Sequence, residues 1–140
     1  MTDESPDARV AALRAWSPEA AEEFRRLAAD FGIELDYTPG SLAEVERLIA
    51  ENFSGRGGKV KRKWRDLSGA TGAYVTEVLL RNLGGEWAWE PEWEVGGIRL
   101  PSGTFTAPLA KSKKRYEDGP ADEFVSYYRA LAEVETQAPR

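Results

Sequence analysis

Five cations crowd one aromatic ring in the run Lys59-Val60-Lys61-Arg62-Lys63-Trp64-Arg65, and four more follow at Lys111, Lys113, Lys114 and Arg115. Nine of the nineteen lysines and arginines lie in these two stretches, so the chemistry they offer is capture of a polyanion. Trp64 could stack on a base or tuck into the core. The opposite charge gathers at Glu86, Glu90, Glu92 and Glu94, all at even positions of a tryptophan-rich run. Clustered carboxylates hold a hard cation only if they converge. Same-face strand positions stand about 6–7 Å apart, so these diverge and predict a wet sheet face or a patch for a basic partner. One acid, Glu77, stands alone in an apolar stretch. Burial would raise its pKa and suit it to proton transfer, but Arg81 follows four residues on, the order that favours a buried ion pair.

Other chemistries are missing. The chain has no histidine and no cysteine. The commonest general base, the commonest transition-metal ligand, disulfides and thiolate nucleophiles are therefore excluded. The glycine-rich run Ser54 to Gly58 lacks the Gly-Lys-Ser/Thr ending of a phosphate-binding loop. No metal and no cofactor is expected. The N-terminus is acidic without an apolar signal core, and no stretch approaches the roughly 18 apolar residues of a membrane span. A cytoplasmic location is the expectation. Net charge is −5 overall, whereas residues 59–85 hold six cations against two acids. Overall acidity weighs against a dedicated nucleic-acid binder, and the local basic block keeps that reading in play.

The elements that must position these residues follow from periodicity. With 140 residues, 41% of them hydrophobic and 31% charged, one domain with its own core is expected. Residues 1–7 and 135–140 are expected to be frayed tails. Ala8 to Trp16 predicts a short helix, and Ser17-Pro18-Glu19 starts a second, with a capping side chain, a proline at the first position and an acid at the positive end. Gly32 ends it, and Ile33 to Tyr37 is extended. Ser41 and Glu44 fit a capping box ahead of a helix burying Leu42, Val45, Leu48, Ile49 and Phe53. The central helix, Ala70 to Leu83, is apolar on most sides and needs neighbours on several, with Gly69 and Gly72 permitting close approach of another backbone.

Trp87, Trp89, Trp93 and Val95 share one parity and the four glutamates the other, which predicts a strand with one dry and one wet face. Gly96-Gly97 fits a two-residue hairpin turn that would set Val95 opposite Ile98, Glu94 opposite Arg99 and Trp93 opposite Leu100. The tryptophans form the core face or an interface cluster. Thr104 to Thr106 adds a short strand, Pro108 opens a helix, and Ala121 to Glu133 closes the chain. The sum is a two-layer α+β fold, an antiparallel meander of three or four strands against a buried central helix and flanking helices.

The passage Gly72-Ala73-Tyr74-Val75-Thr76-Glu77-Val78-Leu79-Leu80-Arg81-Asn82-Leu83-Gly84-Gly85-Glu86-Trp87 resembles small bacterial domains of unknown function that carry G-A-Y-x-x-E-V-L-x-R-x-x-G-G-x-W from helix to strand. Pro108, Lys111 to Arg115 and Asp118-Gly119 are similar to the later part of that pattern, and Thr76 departs from it where the pattern has glycine. The resemblance implies an α+β fold and a bacterial cytoplasmic origin, and carries no activity across. The residues together predict a non-catalytic interaction protein, adaptor- or immunity-like, with another protein as partner. A nucleic-acid module on Lys59 to Arg65 and a carboxylate-dependent enzyme around Glu77 are the alternatives.

Overall fold

Five helices and three strands make up the computed structural model, which describes residues 5–138. The helices are α1 (Pro6–Asp30), α2 (Ser41–Leu48), α3 (Ser68–Leu83), α4 (Pro108–Asp118) and α5 (Phe124–Gln137). The strands β1 (Glu86–Glu90), β2 (Val95–Arg99) and β3 (Phe105–Thr106) form one antiparallel sheet in that order. Helices cover one side of it. This is the α+β class that the periodicity predicts, with three strands.

Ser5 caps α1, its hydroxyl accepting from the Ala8 amide at 3.2 Å, and Pro6 occupies the first position, where a missing N–H is harmless. The expected break at Ser17 is absent, and one helix runs through Pro18. A proline inside a helix costs about 3 kcal/mol. Tertiary packing overrides that cost, because Val10, Ala20, Ala21, Phe24 and Ala28 are all buried along a single helix. Ser17 is fully buried and its hydroxyl has no hydrogen-bond partner, the one such side-chain polar atom among the described residues. Parts of the expected tails lie in helices. Pro6 and Asp7 belong to α1, and Glu135, Thr136 and Gln137 belong to α5, while residues 1–4 and 139–140 lie outside the described residues.

The capping box at the start of α2 does not form. Gly40 is the cap, and Ser41 turns inward to share a 2.6 Å hydrogen bond with the Tyr74 hydroxyl. Glu44 pairs with Arg47 at 2.7 Å instead. The stripe Leu42, Val45, Leu48, Ile49 and Phe53 is buried throughout, its last turn being π-helical over Ile49–Phe53. A 3-10 turn, Arg62–Leu67, leads into α3. Every residue of α3 from Thr71 to Leu79 is buried, with α1 and α4 packed on it. At Gly72 a Cβ would stand 3.1 Å from the Cα of Leu109, so the absent side chain is what lets α4 approach.

The hairpin register differs from the predicted one. Glu90 pairs with Val95, Trp89 with Gly96, Ala88 with Gly97, Trp87 with Ile98 and Glu86 with Arg99. The turn is Pro91 to Glu94, where proline has no amide to lose and Glu94 takes φ 51°. Gly96 and Gly97 lie inside β2, and at Gly97 the close approach of the Thr106 backbone requires the absent side chain. A Cβ at 96 would sit 2.6 Å from Leu13 Cδ1, and one at 97 would sit 2.4 Å from the Thr106 carbonyl oxygen. Trp87 and Ile98 share a face and, with Val10 and Leu100, form a core beneath the sheet that Leu80, Leu83, Leu109 and Leu131 flank. The larger core lies among α1, α2 and α3, joined by Tyr116 and Phe124.

Candidate functional site

The basic run is held at the surface by its few inward groups. Val60 is buried and donates its amide to the Tyr116 carbonyl at 3.1 Å, and Arg65 Nε donates to the Val60 carbonyl at 3.3 Å. The Val60 bond lays the run against the C-terminal half of α4, so the two basic stretches are spatial neighbours, and the Arg65 bond folds the run back on itself. Lys59, Lys61, Arg62, Lys63 and Arg65 are exposed, as are Lys113 and Lys114. Two expected members are not part of this surface. Arg115 is 1% exposed and donates from Nε to Glu46 Oε1 at 2.8 Å, because it shares the inward side of α4 with Ser112 and Tyr116. Lys111 is half-buried, 3.6 Å from Asp122, and its ammonium stands over the Tyr127 ring. Trp64 is a packing residue. Its ring lies 4.7 Å from that of Phe53 and meets Phe31 edge-on, with the Lys63 ammonium 4.9 Å above it.

The acidic row divides. Glu86 and Glu90 stand on β1, whereas Glu92 and Glu94 belong to the turn, so no line of four carboxylates exists. Glu90 is tied to Arg99 at 2.8 Å. Among the described residues no group of three or more acids is placed to hold a metal ion. The tryptophans divide too. Trp87 is buried and Trp89 half-buried with Arg9 over its ring, while Trp93 is 62% exposed. The Trp93 ring leans edge-on against Phe105, which pairs with Arg99 and therefore lies on the face opposite Trp87. The turn at Pro91 ends the strand alternation, and that is why Trp93 and Val95 leave the dry face.

Glu77 is 9% exposed and meets Arg81 at 3.9 Å, too far for a good hydrogen bond. Burial pushes its carboxyl above the ordinary value, and Arg81 acts in the opposite direction. The expected pair exists, but only its glutamate is buried, since the Arg81 side chain is half-exposed and its guanidinium carbon stands over Tyr37, 3.6 Å from the ring centre. Among the described residues, the ion-pair partner of Glu77 is Arg81.

Tyr37 opens onto a feature that the sequence reading missed, a cleft of about 500 Å³ between α1, the extended run 33–37 and the end of α3. Its charged lining is Glu22, Arg25, Glu34, Asp36 and Arg81. Tyr37 has φ 64°, a left-handed backbone rare for an aromatic residue and worth about 1–3 kcal/mol of strain. The strain is held by buried bonds, with the Tyr37 amide donating to the Tyr74 hydroxyl at 2.9 Å and Asn82 donating to the Tyr37 carbonyl at 2.8 Å. The two tyrosine rings stack 4.8 Å apart. The Tyr37 hydroxyl donates to Glu22 Oε2 at 2.8 Å, and Arg25 Nε donates to Glu22 Oε1 at 2.9 Å. Those donors, Arg25 first, hold the Glu22 carboxyl down at about 2. Burial, with Glu22 reinforcing it, pushes the Tyr37 phenol well above its usual range. The only local signal for this site is Asp36 followed two residues on by Thr38, which forms a turn through Asp36 Oδ1.

Compared with known protein families, curated proteins and solved structures, the chain matches none of them. The residues of the helix-to-strand passage have structural roles: Gly72 admits α4, Tyr74 joins the core, and Gly84 and Gly85 turn the chain from α3 into β1 at φ 86° and 103°.

Proposed function

We propose that the protein is a non-catalytic, cytoplasmic interaction module, adaptor- or immunity-like, that docks an acidic segment of another protein on the surface of Lys59, Lys61, Arg62, Lys63, Arg65, Lys113 and Lys114. One observation carries the reading. The five cations of the 59–65 run are exposed, and none of them forms an ion pair with a described residue, whereas Arg25, Arg47, Arg99, Lys111 and Arg115 all do. Exposed like charges repel one another, so a compact free cluster gains most from an external polyanion. The state of Trp64 supports a protein over a nucleic acid as that polyanion. Phe53 and Lys63 already stand over its ring, which removes the stacking platform that single-strand binding uses. Among the described residues no helix is long and apolar enough to cross a membrane.

Fluorescence anisotropy with a labelled oligoglutamate peptide and a labelled single-stranded oligonucleotide of equal charge tests this. The peptide should bind at low salt, and changing Lys61, Arg62 and Lys63 to Glu should weaken it by at least about tenfold. Tighter binding of the oligonucleotide would transfer the surface to the nucleic-acid reading. Indifference to both would remove it from function.

A further inference from the structure

We infer that the cleft beside Tyr37 is a binding site for a small zwitterion, a free amino acid, with its carboxylate on Arg81 and its ammonium on Glu34 and Asp36. The charges of the cleft divide into those that satisfy one another and those that do not. Glu22 and Arg25 satisfy each other, and the remaining Glu22 oxygen accepts from the Tyr37 hydroxyl. Arg81 is different. Its guanidinium carbon stands 3.6 Å from the centre of the Tyr37 ring, its side chain is 53% exposed, and its ion-pair partner, Glu77, stands at 3.9 Å, beyond good hydrogen-bond reach. A guanidinium without a close carboxylate is a fork for a planar one.

On the other wall, Glu34 and Asp36 are both exposed and neither forms an ion pair with a described residue. They alternate with buried Ile33, Leu35 and Tyr37, so the two carboxylates project to the same side, about 6–7 Å apart along the extended chain. Asp36 commits one oxygen to the amide and hydroxyl of Thr38 and keeps the other. The cleft thus presents one cation held only by a long ion pair and two anions with no ion-pair partner among the described residues. A simple carboxylate would meet repulsion from Glu34 and Asp36, and a simple amine would meet repulsion from Arg81. A molecule carrying both charges satisfies the walls together.

Tyr37 forms the floor, held in its left-handed conformation by Tyr74 and Asn82 with its ring under Arg81 and its hydroxyl on Glu22. The site is independent of the basic surface, so either can stand without the other.

The test is an NMR titration of the full chain with glycine, γ-aminobutyrate and lysine, against acetate and methylammonium as half-ligand controls at matched ionic strength. At least one zwitterion should give saturable shifts at Glu34 to Tyr37 and at the Arg81 side chain, with an apparent Kd at least about tenfold below either half-ligand. Arg81→Gln, at an exposed side chain, should raise that Kd by at least about tenfold, and Glu34→Gln should raise it while leaving the spectrum of the core unchanged. Zwitterions binding no better than the half-ligands would overturn the inference. So would full retention of binding in both variants.

Discussion

Gly69 and Gly72 lie one turn apart in α3, and the same substitution should stabilise the fold at the first and not at the second. Replacing a helical glycine with alanine gains up to about 1 kcal/mol from backbone entropy and propensity. At Gly69 the new methyl would meet only Trp16 ring carbons at 3.8 and 3.9 Å, which is ordinary contact, so Gly69→Ala keeps that gain. At Gly72 the methyl would stand 2.8 Å from Leu109 Cδ2, 3.1 Å from Leu109 Cα and 3.2 Å from Ser112 Cβ. The leucine methyl can swing away, but the Cα cannot. Helix α4 would have to retreat, loosening the 2.7 Å bond from the Ser112 hydroxyl to the Ser68 carbonyl. Overpacking of that kind costs about 1–3 kcal/mol, so Gly72→Ala should range from neutral to about 2 kcal/mol destabilising. The gap between the twin variants should be about 1–3 kcal/mol. Urea unfolding followed by far-ultraviolet circular dichroism measures it as a difference in midpoint at unchanged slope. Adding Leu109→Ala to Gly72→Ala should recover part of the overpacking cost. Equal stabilisation by both single variants would refute the close approach of α3 and α4.

Three further outcomes follow from the buried and titrating groups. Arg115→Ala should cost about 3–5 kcal/mol in urea unfolding, since it leaves Glu46 facing an emptied site, while Lys113→Ala and Lys114→Ala should leave the midpoint in place. Because the Glu22 carboxyl is lowered to about 2, its contribution is fully present above its ordinary value of 4.5 and is lost as pH falls toward 2, so Glu22→Gln should flatten the acid limb of a stability–pH curve. Glu77 has the opposite sign. Its carboxyl is raised by burial, so Glu77→Gln should stabilise the fold at neutral pH, and the gain should shrink once acid protonates the wild-type group.

What the sequence carried was local. The stripe from Leu42 to Phe53 and the wholly buried middle of α3 follow from helical spacing of apolar residues, and each is buried as that spacing requires. The errors arose where distant neighbours decide. Ser17-Pro18-Glu19 has every mark of a helix start, yet packing carries α1 through it. Gly96-Gly97 has the marks of a tight turn, yet both glycines lie inside β2, where the Thr106 backbone leaves no room for a side chain at 97, and the turn falls at Pro91 with Trp93 off the dry face. The basic run was legible as composition. That Arg115 and Lys111 turn away from it depends on Glu46 and Asp122, 69 and 11 residues distant in the chain. The cleft was illegible for the same reason, since Glu22, Tyr37 and Arg81 meet only through the packing of α1 on α3.

Docking of an acidic protein segment on the 59–65 and 113–114 surface can be checked by mapping where such a segment binds. In an amide chemical-shift titration with an oligoglutamate peptide, shifts should concentrate at residues 59–65 and 113–114 and collapse between about 50 and about 300 mM salt as screening shortens the reach of exposed charges. Shifts centred elsewhere, or no saturable shifts at low salt, would contradict it.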